Sequence, residues 1–511
     1  MKPIGQARTE IEIQDLSVLT TSGLTGIVGV LGVTERGPVN KPTLIGSWLE
    51  FTRTFGGLID DDIFPLLCRR ALERGGRLMV SRVAHYTDIT DKTTLDGTVA
   101  SLEIGTGGPL IEALSIGAWG NDVSITIEDT ANGVVDEFDI TIDLVGYPDS
   151  SEFIQNVPKT LTASDIGEFN GRSVLVKLTT NSVGKDLVAT TKTNLAAGAE
   201  DKSLIVDIDY IGDATQGLGI NSFDKTSVIN KISVPGKAIP AIDTALILYA
   251  DMRKDVRAIT RTPVGLNGDG ILAYRNGTAP YTHQPHDSWR ADMWTGGLEI
   301  NHPVTGERIE IPEIGDVIGA MSARDNNYPE WFAVAGSERG RVNNTLGVVF
   351  DLGSAARQAT ADNVDVNGVN AVIEHSSFGV VLWGNSTLQR KRTLLSHSNV
   401  ADLLIYLTRE LRPLIESELF QPNDVETWKA IHRKVTPLMD SVVDGRGISA
   451  YRYDGDQNVD NIQQAVVNKL SDVDQGLYVF NLFIKPISAL KYLGVKVSLT
   501  NSGVDFESLT A

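Results

Sequence analysis

Cysteine occurs once in the 511 residues, at Cys68. A single thiol excludes an internal disulfide framework and fits assembly in a reducing cytoplasm. No long apolar run is present, so no membrane-spanning helix and no membrane insertion are expected. The opening stretch MKPIGQARTEIEIQ lacks the apolar centre of a secretory signal. Positive charge is scarce: 45 Lys and Arg against 65 Asp and Glu leave a net charge of −20. Phosphate binding needs clustered cations, so nucleic acid is not expected as a direct partner. The negative charge favours solubility at high concentration. Also missing are a Gly-x-x-x-x-Gly-Lys-[Ser/Thr] phosphate loop, a Gly-x-Ser-x-Gly elbow and a His-Glu-x-x-His pair. No catalytic residue, metal or cofactor is expected, and the chain reads as a non-enzyme.

What is present is an ordinary globular composition, 41% hydrophobic and 22% charged. The length exceeds what one core fills and implies three or four domains. The fold class expected is α+β or α/β and multidomain: a mixed-sheet α/β core, an inserted antiparallel β domain, and extended strand arms at both ends. Residues 1–22 read as an arm, because Ile11 and Ile13 alternate with Glu12 and Gln14 without a turn to a partner strand. Residues 23–90 open the core, with strands at Ile27 to Val33, Thr43 to Ile45 and Leu78 to Val83. Ser47-x-x-Glu50 has capping-box spacing, and Gly56-Gly57 should end that helix. A second helix follows Asp60, Asp61 and Asp62 and ends among Arg69, Arg70 and Arg74, matching the helix dipole.

Between 91 and 235 the texture changes to short alternating runs such as Val123 to Ile127 and Phe138 to Leu144, an antiparallel β pattern. This stretch holds 22 acidic and 9 basic residues, most economically a solvated outer surface. The core resumes near Ile239 and runs through residues 236–395. Within it, Gly315 to Ala323 offers a helix with small residues at close-packing positions, which Tyr328-Pro329 ends. Trp331 to Val334 reads as a short strand. Phe378 to Trp383 reads as a strand covered on both faces, since it is apolar without alternation. Residues 396–493 form a C-terminal α/β domain. Val400, Leu403, Leu404, Leu407, Leu411, Leu414 and Leu419 make one helical face, kinked or divided at Pro413. A helix capped by Asn423-Asp424 follows, with Trp428, Ile431 and Val435 inward. Strands at Ile448 to Tyr453 and Tyr478 to Ile484 flank a helix read from Val459 to Leu470. Residues 494–511 alternate again through Val495, Val497 and Leu499 and read as a second arm.

Ala323-Arg324-Asp325, Trp331-x-Ala-x-Ala-Gly336, Gly368-Val369-Asn370 and Leu382-Trp-Gly-x-x-Thr-Leu388 stand in an order and spacing that resembles the core of contractile-tail sheath proteins. Glu35 to Gly57 and Ala118-Trp119-Gly120-Asn121 are similar to further stretches of that family. One departure is Asn385-Ser386, where the family commonly carries an arginine. The resemblance implies stacked hexameric rings forming a helical sheath around an inner tail tube protein, with baseplate and tail terminator proteins as further partners. It implies a place in a virion tail, after assembly in the host cytoplasm. It also implies that the arms are donated as strands to neighbouring subunits, through Ile11, Ile13, Leu16 and Val18 at one end and Val495, Val497 and Leu499 at the other.

Arg390, Lys391 and Arg392, and the helix face Lys429, Arg433 and Lys434, are usually solvated charge. In an acidic subunit they are also the candidates for contacting an acidic tube or a neighbour. Asn363-x-Asp365-x-Asn367-Gly368 with Glu374 approaches a calcium loop. Its first position is Asn, however, and a strand is expected after it, so calcium is not expected. His283 and His286 lack a metal framework and read as a loop with surface histidines. Cys68 reads as a core residue. The rival reading is a secreted or surface-displayed β-rich adhesin, which needs an export signal and leaves the two arms unexplained.

Overall fold

The computed structural model describes residues 26–60, 62–130 and 136–491. Its organising element is an eight-stranded sheet. The strands are β1 (Ile27–Gly32), β2 (Thr43–Ile45), β3 (Arg77–Arg82), β4 (Ile229–Ser233), β5 (Arg257–Arg261), β6 (Ala291–Thr295), β7 (Val369–His375) and β8 (Gly379–Trp383). They lie in the order β8-β7-β6-β5-β4-β1-β3-β2. The six inner strands run parallel, and β2 and β8 close the two edges antiparallel. Parallel strands buried on both faces explain the continuous apolar runs of β1 and β3. Successive residues of β1 serve two cores: Ile27 and Leu31 enter one cluster, Val28 and Val30 the other.

Helices α1 (Trp48–Phe55), α2 (Phe64–Glu73), α3 (Pro240–Arg253) and α4 (Ile314–Asn327) cover these faces, α3 in the first cluster and the others in the second. Ser47 caps α1 by accepting from Glu50 N, and the Glu50 carboxylate reaches back to Gly46 N. Asp62 Oδ1 accepts from Phe64 N at the start of α2. α2 and α4 lie close because Gly315 and Gly319 face Leu67 and Ala71. A Cβ on Gly315 would sit 2.7 Å from the Leu67 carbonyl oxygen, and one on Gly319 2.9 Å from Ala71 Cα. The small residues of α4 are therefore a packing requirement.

The chain between β3 and β4 carries two antiparallel sheets. Four strands, Thr190–Asn194, Val123–Asp129, Glu137–Leu144 and Glu152–Pro158, form one; Ser101–Glu103, Leu110–Ala113 and Val176–Leu178 form the other. Their apolar residues make a core of their own. The two ends of the stretch pair with each other, Thr98 N donating to Ala199 O and Ala199 N to Thr98 O. At the C-terminal end, α5 (Ser398–Glu416) and α6 (Val425–Asp444) pack on a hairpin of β9 (Ile448–Asp454) and β10 (Asn481–Pro486). Pro413 lies inside α5 without dividing it. Asp424 caps α6, and Trp428, Ile431 and Val435 point inward.

Several sequence expectations need correction. The core resumes before residue 235, because β4 lies within the main sheet and Tyr210, Ile220 and Phe223 join its core. Buried Asp209 fixes that return by accepting from Tyr86 N and pairing with His85. Trp331 to Val334 is not a strand. Its chain turns under α4, where Phe332 O accepts from Arg324, and Trp331 Nε1 donates to Gly445 O. The strand read from Phe378 starts at Gly379 and is buried only at its centre, since Gly379 and Trp383 at its ends and the preceding Phe378 are exposed. Val459 to Leu470 is not one helix: it holds a single 3-10 turn at Ile462–Gln464 and reaches a short helix only at Leu470. The Asp456 carboxylate accepts from the backbone N–H groups of Val466, Val467 and Asn468, which winds that stretch into a loop. His286 is buried, its ring centroid 4.6 Å from that of His283, so the pair is not a surface feature.

Candidate functional site: an ionic junction beneath the C-terminal helices

Three inner strands carry charge where apolar residues are the norm. Lys231 on β4, Arg257 on β5 and Asp292 on β6 are each at most 1% exposed. Arg324 and Asp325 reach the same place from the last turns of α4, and Asp402 from the first turns of α5. Lys231 Nζ lies 2.5 Å from Asp325 Oδ2 and 3.9 Å from Asp402. The Arg324 guanidinium bridges Asp325 at 2.5 Å and Asp402 at 2.9 Å. Arg257 bridges Asp402 at 3.2 Å and Asp292 at 3.1 Å. Three cations thus meet three carboxylates in a buried, charge-balanced network that ties sheet, α4 and α5 together.

Neutral groups add further bonds. Ser398 Oγ donates to Asp292 Oδ1, Arg257 donates to Ser398 O, and Asn230 Nδ2 donates to Asp325 Oδ2. Burial raises the Asp292 pKa to about 6 despite Arg257. Burial also opposes ionisation of Asp325, but Arg324 and Lys231 overcome it and hold its pKa below the usual value. Burial opposes the Arg324 charge as well, and Asp325 and Asp402 outweigh it, so its pKa is raised. Burying ions costs several kcal/mol each, which is recovered only where the geometry satisfies them. A network of this kind fixes one relative placement of the parts it joins.

The motif residues converge on the same junction. Asn370 Nδ2 donates to Ser386 O, and Ser386 N donates to Asn370 Oδ1. Asn385 and Asn399 pair through Nδ2 to Oδ1 at 2.8 Å, joining the stretch after β8 to α5. At the position where the sequence departs from the family's arginine, a neutral amide pair makes the connection. Arg409 on α5 adds a bond of 2.6 Å to Glu330. Sequence reasoning found Arg324, Asp325 and Asn370 but missed Lys231, Arg257, Asp292 and Asp402. The signal was a charged residue interrupting an apolar strand.

The basic candidates do not form one patch of free charge. Lys429 pairs with Glu426 at 3.5 Å, and Lys434 pairs with Glu418 and donates to Ser417. Arg433 is exposed. Arg390, Lys391 and Arg392 are exposed on a pinned loop, where Arg390 N donates to Asp287 and Arg392 to Val366 O. Asp365 lies in a helix, Gln358–Val366, and pairs with Lys491. Among the described residues no group of three or more His, Cys, Asp or Glu is placed to hold a metal ion. Cys68 is buried, which raises its thiol pKa. The arm residues Ile11, Ile13, Leu16, Val18, Val495, Val497 and Leu499 lie outside the described residues.

No family model matches the chain. It is 23% identical over 199 residues to the tail sheath protein of Vibrio phage KVP40, covering 39% of this chain and 28% of that protein. It is 23% identical over 270 residues to the tail sheath protein of Enterobacteria phage T4, covering 52% of this chain and 38% of that one. The matches thus span well under half the length of these curated relatives. Among solved structures, the sheath tail protein Lin1278 of Listeria innocua superposes with a TM-score of 0.60 at 13% identity, over 91% of this chain and 96% of that one. Its fold is that of the tail sheath proteins. The contracted helical sheath of the anti-feeding prophage shares it, with a TM-score of 0.55 at 12% identity over 98% of this chain and all of the other. In this sheath fold, the ionic junction lies where the main sheet meets the C-terminal helices.

Proposed function

We propose that this chain is the structural subunit of a contractile tail sheath. It polymerises as stacked hexameric rings around an inner tube and shortens to drive that tube through a target cell envelope. The observation that carries this reading is the fold shared with a contracted helical sheath over 98% of the chain. The work required is mechanical, and no catalytic constellation is invoked. A heterologous contact that does not close on itself generates a helix rather than a ring-limited oligomer. The antiparallel segment between β3 and β4 is an outer domain inserted into the core.

The arms, residues 1–22 and 494–511, add strands to the β9–β10 hairpins of adjacent subunits. Two-stranded sheets are marginal alone, and β9 and β10 pair only with each other among the described residues. Main-chain bonds made by donated strands survive rotation of the bodies they join, so a mesh persists while other contacts break and reform. Arg433 and the Arg390–Arg392 loop carry the charge available for an acidic tube or neighbour. Lys429 and Lys434 instead neutralise Glu426 and Glu418. Electron microscopy of the purified protein tests the reading: tubes are expected, and a monodisperse monomer at all concentrations overturns it. Removing residues 1–18 or 494–511 should leave a folded monomer that forms no tubes. Normal assembly of either truncation rules out strand donation.

A further inference from the structure

The tip and far end of the β7–β8 edge display a slab of three rings. His375 stacks on Phe378 with centroids 4.5 Å apart and an interplanar angle of 22°, and lies 5.5 Å from Trp383. Phe378 and Trp383 are 37% and 47% exposed. Glu374 beside them is exposed, and it borders a groove of about 380 Å³ shared with Arg341, Asn344 and Leu346. Elsewhere the chain covers its rings with its own cations: Arg36 over Tyr147, Arg339 over Tyr328, Arg357 over Phe350, Arg452 over Phe483. Among the described residues no cation covers the slab. An exposed ring face attracts guanidinium or ammonium groups, and more strongly once both are desolvated.

The complementary surface is on the same chain. Arg390, Lys391 and Arg392 are exposed, and their side chains form no ion pair among the described residues. Their loop is held in shape: Thr387 N donates to Ser396 O, Thr393 and Ser396 bond reciprocally, and Arg390 N is held by Asp287. Arg392 reaches back to Val366 O, which leaves Arg390 and Lys391 as the exposed cations of the loop without a side-chain bond among the described residues. We infer that the His375–Phe378–Trp383 slab is a docking surface for the Arg390–Arg392 loop of a second copy of this chain. A slab on one copy and a loop on the next make a heterologous contact, which propagates instead of closing a dimer. The guanidinium stacks on Trp383 and Phe378, and Glu374 supplies the opposite charge. This rests on the sheath reading and adds the residues of one contact.

Cysteine pairing tests it in the full chain, since buried Cys68 does not compete. Ser376→Cys and Lys391→Cys are prepared separately, mixed, assembled and oxidised under a mild oxidant. The expected product is a disulfide dimer of one variant with the other, formed in the polymer and absent below the assembly threshold. Phe378→Ala with Trp383→Ala should keep the parent's circular dichroism and raise the assembly threshold at least tenfold, while Trp383→Tyr restores most of it. Polymers without the mixed cross-link, or a double variant that assembles like the parent, overturn the proposal and leave the sheath reading standing. A disulfide between two Ser376→Cys copies overturns it in favour of slab-to-slab pairing. If the parent chain forms no polymer, the sheath reading fails first.

Discussion

Asp402 is the residue on which the junction turns, because its two oxygens serve Arg257, Arg324 and, at longer range, Lys231. Asp402→Ala leaves buried cations short of a carboxylate, and breaking a buried pair this way costs about 3–5 kcal/mol. Urea denaturation should show that loss, whereas Lys491→Ala, which breaks the exposed pair with Asp365, should cost at most ~1 kcal/mol. Equal effects would mean that the junction does not hold the fold. Arg324 and Asp325 were legible because they sit in a motif. Asp402 was not, because an acid beside Val400 and Leu403 reads as the polar side of an amphipathic helix. Lys231 and Arg257 interrupt apolar strands, and periodicity alone does not say that such a charge is buried and paired.

A second buried acid gives a pH signature. Asp243 accepts from Tyr274 Oη at 2.6 Å, and burial pushes its pKa from 3.8 to about 7. Between those values the folded protein keeps a proton that the unfolded chain releases. The group's contribution to stability therefore falls as pH rises through that window, by up to about 1.4 kcal/mol per unit. Asp243→Asn keeps an acceptor for Tyr274 and does not titrate. Its stability relative to the parent should climb from pH 4 to 7 and level off above. His286, pushed down to about 4 by burial, His283 and Arg275, slopes the opposite way below pH 6.5, but equally in both proteins. A difference that stays flat across pH 4 to 7 excludes the raised carboxyl.

At the scale of elements, the α2–α4 contact is where sequence and structure agree most closely. Glycines four residues apart face one side of a helix, and the close approach they permit requires that nothing protrude. Gly319→Val places side-chain carbon within the Ala71 backbone and should cost about 3 kcal/mol or more, read as a lower unfolding midpoint. Gly336→Ala, at a positive φ with open space around it, should cost about 1 kcal/mol from backbone strain alone. Comparable losses would put the cost in conformation instead of packing. Elements held by long-range polar bonds were illegible. Val459 to Leu470 has helical composition, but one carboxylate, Asp456, captures three consecutive amides, and no periodicity carries that information. Trp331 to Val334 misled likewise: its apolar residues serve a loop that packs between α4 and the C-terminal helices.

Across the whole molecule, the segment from 97 to 200 is the part best separated from the rest. Every buried member of its apolar cluster falls between Ala100 and Leu195, and its ends are hydrogen-bonded to each other. Its attachments to the core are few and polar. Arg36 stacks on Tyr147 and Trp119, Tyr147 Oη donates to Glu35, Gly57 N donates to Tyr147 Oη, and Arg82 pairs with Glu200 at 2.5 Å. A unit that buries its own core and closes its own termini meets the physical requirements for folding alone. Residues 97–200 expressed by themselves should therefore give a soluble β-rich protein with a cooperative melt. The remaining chain, joined from Asp96 to Asp201 by a short Gly-Ser linker, should also fold, with a lower midpoint because Arg36 loses Tyr147 and Trp119 and Arg82 loses Glu200. A non-cooperative fragment would show that the two antiparallel sheets depend on the core despite their separate apolar cluster. The boundary would then belong nearer the main sheet.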